Sequence, residues 1–216
     1  AVALRFAETA PAERASAHPA QIARSFAAIV AEPKFLAPYG AMLCAQVGIF
    51  AFVSNSAFTL VSGLGVSPGA FAALFALVMV GQIAGAWLSS RLVMRAGMLR
   101  LLRAGVVLVF ASGAGAAAAA WSGLAHPAAV VAPFTVFLFG TALIIPNATA
   151  LALQPFPRTA GAASSLMGAA QFAVAALVST ALGALFDGSA RPMATAAAAA
   201  GLGALLIERR FLRGPR

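Results

Sequence analysis

The sequence predicts an all-α integral membrane protein, a bundle of six transmembrane helices, and three observations carry the prediction. The 216-residue chain is 62% hydrophobic and 9% charged, with a mean hydropathy of +0.96, whereas soluble domains are about a quarter charged. It contains six runs long and apolar enough to cross a hydrocarbon core that needs roughly 20 residues per helix. The basic residues divide unequally between the two sides that alternating spans would create.

The six runs are Pro38–Val61, Gly69–Ser90, Leu101–Trp121, Ala128–Gln154, Thr159–Phe186 and Pro192–Ile207. The last is short and alanine-rich, while the fourth and fifth are long enough to tilt or to extend beyond the membrane. Arg5, Arg14, Arg24 and Lys34 precede the first run. Arg91, Arg95, Arg100 and Arg103 surround the second connection, Arg158 lies in the fourth, and Arg209, Arg210, Arg213 and Arg216 follow the sixth. If the spans alternate, only Arg191 falls on the opposite side. Cytoplasmic loops carry the Lys/Arg excess, so both termini are expected inside. The expected organisation is a cytoplasmic linker over 1–37, a six-helix transmembrane unit over 38–207 and a basic cytoplasmic tail over 208–216. Within the linker, Ile22–Val30 fits a turn or two of interfacial helix, or a segment with little fixed structure.

Several function classes are disfavoured. The net charge of +9 follows from topology rather than from a basic face on a soluble domain, so nucleic acid is not an expected partner. Cys44 lies in an apolar run, and with no second cysteine there is no intrachain disulfide and no Cys/His metal spacing. No Gly-x-Ser-x-Gly elbow, P-loop or His-Glu-x-x-His occurs. Neither an enzyme, a metal site nor a cofactor is therefore expected.

Polar residues inside the runs are the candidates for function, because each must find a partner or face a wet cavity. Gln46, Asn55, Gln82, Asn147, Gln154 and Gln171 all lie within runs, and the third and sixth runs have no Asn or Gln. That division suggests four helices facing an interior and two facing mostly lipid. Residues seven apart share a helix face, which pairs Gln82 with Ser89, Asn147 with Gln154 and Ser164 with Gln171. Gln46 and Asn55 are nine apart and point to opposite sides, so one of them is expected to hold helices together. Gly81-x-x-x-Gly85, Gly161-x-x-x-Ser165 and Ser164-x-x-x-Gly168 are small-residue motifs that suit close packing. Pro146 is expected to kink the fourth helix beside Asn147. Asn147-Ala148-Thr149 matches a glycosylation triplet, but it lies inside a span. No Asp, Glu, His, Lys or Arg occurs deep in a run, so this chain offers no intramembrane proton carrier.

Two stretches resemble a known family. Gly85-Ala-Trp-Leu-Ser-Ser90-Arg91-Leu-Val-Met-Arg95-Ala-Gly97-Met-Leu-Arg100 looks like the loop signature of the major facilitator superfamily. The stretch "PNATALALQPFPRTAGAASSLMGAAQ", Pro146 to Gln171, is similar to the bicyclomycin-resistance (Bcr/CflA) branch of drug–proton antiporters, as are "LRFAETAP" and "FAFVSNSAF". The resemblance implies the carboxy-terminal half of a twelve-helix major facilitator fold in a bacterial inner membrane. It further implies efflux of drug-like small molecules against protons, with the coupling carboxylate in the other half. Ser90 stands where the better-preserved copy of the loop motif has Asp, which puts an Asp–Arg relay in doubt. Ala57 stands where relatives commonly have Pro.

On this reading Asn55, Asn147 and Gln171, with Gln46, Gln82 and Phe52, are the candidate substrate-cavity residues, and Phe50 and Phe58 offer further aromatic surface. Arg91, Arg95 and Arg100 are candidate latches of the inner face. Pro155, Pro157 and Arg158 form the inner turn, with Thr159 available to cap the next helix. The alternatives are a complete six-span homodimeric transporter or channel subunit, and a non-transporting membrane scaffold.

Overall fold

The computed structural model describes residues 19–157 and 159–212. The expectations for the first eighteen residues, for Arg158 and for residues 213–216 lie outside this range. Seven helices follow in order: α1 (Pro19–Ala31), α2 (Pro33–Ala57), α3 (Pro68–Ala96), α4 (Met98–Trp121), α5 (Pro127–Leu153), α6 (Ala160–Ala184) and α7 (Arg191–Ile207). A π-helical turn extends α2 over Phe58–Gly63, and another extends α7 over Glu208–Leu212. No strand occurs among the described residues.

Local chemistry sets the helix starts. Proline occupies the first turn of α2, α3 and α5, where its missing N–H belongs to a group left unpaired in any case. Side chains accept the next orphan donors: Glu32 Oε1 from the Lys34 N–H (3.2 Å), Ser67 Oγ from the Ala70 N–H (3.3 Å) and His126 Nδ1 from the Ala128 N–H (3.1 Å). Between α3 and α4 the chain turns at Gly97, at φ 82° and ψ 152°, a region open essentially to glycine alone.

Five helices, with α2 counted through Gly63, are long and apolar enough to cross a membrane, and α5 is the most apolar, with a mean hydropathy of 2.3. α7 has 17 residues, the short end of what can span. The chain is a multi-pass membrane protein. α2 begins at Pro33 rather than Pro38, so Pro38 lies inside the helix. α1 is longer than the turn or two expected, and its Ile29 is 2% exposed.

The core is made by α2, α4, α5 and α7. α5 packs along α4 and α2, and α7 packs along the same two helices from the other side. α3 rests mainly on α5, and α6 mainly on α2. Exchanging α2 with α5, α3 with α6 and α4 with α7 maps these principal pairs onto themselves, the pattern of an internal repeat. Contacts fix the helix directions. Gln82 meets Thr141 and Ser89 meets Asn147, so α3 and α5 are parallel. Tyr39 meets Met167 and Ser54 meets Ser179, so α2 and α6 are parallel. Lys34, Leu99, Gln154 and Leu212 gather at one end, and Gly63, Gly123, Asp187 and Arg191 at the other. The spans therefore alternate, and the described arginines of the α3–α4 connection lie at the same end as Lys34.

Small residues decide which helices come closest. A Cβ on Gly105 would meet the Gly140 carbonyl oxygen at 2.6 Å, one on Gly113 the Ala197 oxygen at 2.7 Å, and one on Gly201 the Phe110 Cα at 2.7 Å. α4 thus touches α5 and α7 backbone to backbone. Within this chain, then, α4 and α7 are packed into the core although they lack Asn and Gln. In its most apolar stretch α4 is 44% buried, whereas α3 is 17% and α6 is 11% buried. Glycine and alanine bury a helix as effectively as polar side chains do, through dispersion contacts at short range.

Candidate functional site: two polar seams on the bundle

The α3–α5 seam gathers more of the candidate residues than any other contact. Gly81 and Gly85 bring the backbones together: a Cβ on either would stand 2.5 Å from a carbonyl oxygen of α5, that of Thr135 or Phe139. Two polar rungs follow. The Thr141 hydroxyl donates to Gln82 Oε1 at 3.1 Å, and Asn147 Nδ2 donates to Ser89 Oγ at 2.9 Å and to the Leu143 carbonyl at 2.8 Å. Gln82 and Ser89 therefore do share a face, and that face looks at α5. Beside the lower rung lies a groove of about 300 Å³ lined by Ser89, Ser90, Val93, Met98, Pro146 and Asn147. Pro146 is exposed in this groove while Asn147 is 3% exposed. α5 runs from Pro127 to Leu153 with both Pro133 and Pro146 inside it.

The second seam joins α2 to α6. The Tyr39 hydroxyl donates to the Met167 carbonyl at 2.7 Å, and the Ser54 and Ser179 hydroxyls lie 2.6 Å apart. Gln171 is half-buried on α6, and Ser164 is exposed. Gly161 and Gly168 have no atom within 4 Å of a Cβ position, so the small-residue motifs of α6 face open space within this chain instead of a packed helix. Asn55 is buried, with Nδ2 donating to the Ala51 carbonyl at 3.2 Å. One and four residues further on, Ser56 Oγ and Thr59 Oγ1 are buried with no hydrogen-bond partner among the described residues. They fall where α2 changes to its π-helical turn.

Other candidates are placed differently. Phe52 is fully buried, its ring 4.9 Å from that of Phe134 and 5.7 Å from that of Phe75. It is core between α2, α3 and α5 and offers no surface to a ligand in this arrangement. Phe50 is half-buried, and Phe58 is exposed beside Phe186. Gln46 and Asn55, expected to divide between cavity and contact, are both buried, at 4% and 3% exposure. Gln154 lies one residue beyond α5 and is exposed at the basic end, so it does not join Asn147 at the groove.

In the loop motif, Gly85 is buried against α5, Ser90 Oγ donates to the Trp87 carbonyl at 2.7 Å, and Arg91 sits 5.3 Å from the Trp87 ring centre. Arg91, Arg95 and Arg100 are exposed and form no ion pair among the described residues. At the inner turn, Phe156 packs edge-on against Phe35 at 5.9 Å, with Pro155 and Pro157 exposed on either side. Thr159 precedes α6, but its side chain makes no cap.

Sequence reading missed Thr141, Tyr39, Ser54 and Ser179, because hydroxyls are frequent in apolar helices and usually bond within their own helix. Six residues separate Thr141 from Asn147, close to the spacing from Gln82 to Ser89; that match was the available signal. It also missed Glu208. Assigned to the tail, Glu208 is 3% exposed, with Oε1 3.0 Å from Arg103 Nε. That N–H is not aimed as a hydrogen bond, whereas Arg103 Nη2 donates to the Leu212 carbonyl at 2.6 Å.

A helical bundle of alternating spans, with the same packing pattern in its two halves and buried polar seams, defines a polytopic membrane protein with the kind of internal repeat that many transporter folds contain. The chain is 31% identical over 173 residues to a bicyclomycin resistance protein homolog of Haemophilus influenzae, covering 80% of this chain and 43% of that protein. It is 29% identical over 130 residues to multidrug resistance protein D of Escherichia coli, covering 57% of this chain and 31% of that protein. No protein-family model matches. The chain is a homologue of drug-resistance transporters of the major facilitator superfamily, and it spans less than half the length of either relative.

Proposed function

We infer that this chain is one six-helix half of an exporter of drug-like small molecules, working by alternating access and driven by protons. The observation that carries the reading is the match to a resistance protein over 80% of this chain but 43% of the relative. Support comes from the internal repeat and from the exposed sides of α3 and α6, which leave room for a second six-helix unit to complete a midplane cavity. Asn147 and Gln82 at the α3–α5 seam and Gln171 on α6 supply polar groups to that cavity, and Pro146 is the hinge element beside Asn147. Asn55 joins the cavity only if the outer end of α2 rearranges. The proton carrier belongs to the other half, because no carboxylate lies deep in any span. The positive-inside rule supports a basic end that faces the cytoplasm, with the linker and tail on the cytoplasmic side of a bacterial inner membrane. As part of the full-length protein the chain serves transport and not catalysis.

The test is reconstitution of the full-length protein in liposomes with an imposed pH gradient and a panel of cationic and amphipathic drugs. Gradient-dependent movement is expected, with loss in Asn147→Leu at retained folding. No movement of any compound overturns the reading. Transport by residues 1–216 alone overturns the half-unit assignment and favours a six-span protein acting with a second copy.

A further inference from the structure

A crevice of about 510 Å³ opens at the basic end of the bundle, separate from both polar seams. Its walls are the first turns of α2 and α4, the end of α5 and the terminal π-helical turn, contributing Pro38, Leu99, Leu151, Phe211 and Leu212. Those walls are mainly apolar, and Phe211 stands 60% exposed beside the opening. Two polar side chains also line it, Lys34 and Gln154. Both are exposed, and neither side chain makes a hydrogen bond or ion pair among the described residues.

The charges around the crevice are mostly basic. Arg209 and Arg210 are exposed on the same turn as Phe211 and Leu212, and Arg100 adjoins Leu99. Of the acids on these segments, Glu208 is buried in its pair with Arg103. Glu32 accepts the Lys34 backbone N–H at the start of α2. The crevice sits where three spans begin or end, which is headgroup depth for a bundle in a bilayer. Basic pockets between helices on the cytoplasmic side suit the head groups of anionic lipids.

We propose that this crevice is a binding site for an anionic phospholipid of the surrounding membrane. The lipid phosphate meets the Lys34 ammonium, with Arg209 and Arg210 flanking it, and acyl carbons lie along Pro38, Leu99, Leu151 and Phe211. A soluble phosphate would leave the apolar walls wet. A zwitterionic lipid brings its own cation among these basic residues. Occupancy joins the start of α2 to the terminal turn, so the lipid acts as a clasp on the basic end. The proposal requires only that the chain spans a membrane and stands apart from the transport reading.

The experiment uses full-length protein in neutral detergent, followed by native mass spectrometry and thermal unfolding. The additions are phosphatidylglycerol, cardiolipin, phosphatidylcholine or glycerol phosphate. Anionic lipids should be retained through detergent exchange and raise the unfolding temperature, while phosphatidylcholine and glycerol phosphate do neither. Lys34→Gln should weaken retention roughly fivefold, and a further Arg209→Gln/Arg210→Gln change by a similar factor again. Equal stabilisation by phosphatidylcholine, the same effect from glycerol phosphate, or unchanged retention in the triple variant overturns the proposal. Should the variants fold poorly, photoactivatable phosphatidylglycerol on the unaltered protein should label the start of α2 and residues 208–212. Labelling confined to other segments overturns it. So does labelling of the crevice that appears only after residues 1–18 are removed, which would assign the crevice to the chain's own amino terminus.

Discussion

α3 and α6 occupy equivalent places in the internal repeat, each laid parallel against one core helix, yet they are held by different physics. α3 touches α5 through two glycines that admit carbonyl oxygens, flanked by the Gln82–Thr141 and Ser89–Asn147 hydrogen bonds. α6 is tied to α2 by Tyr39–Met167 and Ser54–Ser179, while Gly161 and Gly168 face open space. Where lipid tails are as apolar as the side chains, close backbone contact and interhelical hydrogen bonds drive helix association. α3 has both, and α6 relies mainly on hydrogen bonds. The difference implies that α3 moves with the core as one body, while α6 has a looser attachment within this chain.

Gly85→Leu should produce the largest effect. Its Cβ alone would meet the Phe139 oxygen at 2.5 Å and the Ala142 Cβ at 2.9 Å, so α3 must separate from α5, at a cost of about 1–3 kcal/mol or more. Unfolding of the full-length protein in detergent measures it, and wild-type stability would mean that glycine contact does not set the attachment of α3. Asn147→Leu removes the lower rung and should cost about 1–2 kcal/mol, with the double change Ser89→Ala/Asn147→Leu adding little to it. Full additivity would show that the two side chains are not coupled. Ser179→Ala should cost about 0.6 kcal/mol. Crosslinking yields between cysteines placed on α2 and α6 should shift more in that variant than yields between α3 and α5. Gly168→Ala should be smallest, within about 0.5 kcal/mol of wild type, because nothing lies within 4 Å of the added carbon. A large loss there would reveal a partner packed on α6 in the full-length protein, which sharpens the comparison instead of dissolving it.

Much of this was legible in the residues. Mean hydropathy and the one-sided arginines sufficed for the spans and their alternation, since both follow from the solvent the helices cross. Gly81-x-x-x-Gly85 was correctly read as a contact. The same kind of pattern in α6 meets no helix within this chain, because a small residue permits close approach without supplying the helix that approaches. Phe52 looked like ligand surface but lies under Phe134 and Phe75; an aromatic in an apolar run carries no mark of which neighbour covers it. Glu208 looked like tail because it begins the charged segment at the chain's end, yet the π-helical turn folds it onto Arg103.

The sequence by itself determined the apolar environment and the alternating direction of the main helices, properties of single segments against a solvent. Which helices touch, which glycines bear that contact and which hydroxyls complete the rungs were decided only in the tertiary structure. Those outcomes depend on pairs of segments far apart in the chain, and a helix face acquires its role only when a second helix lies against it.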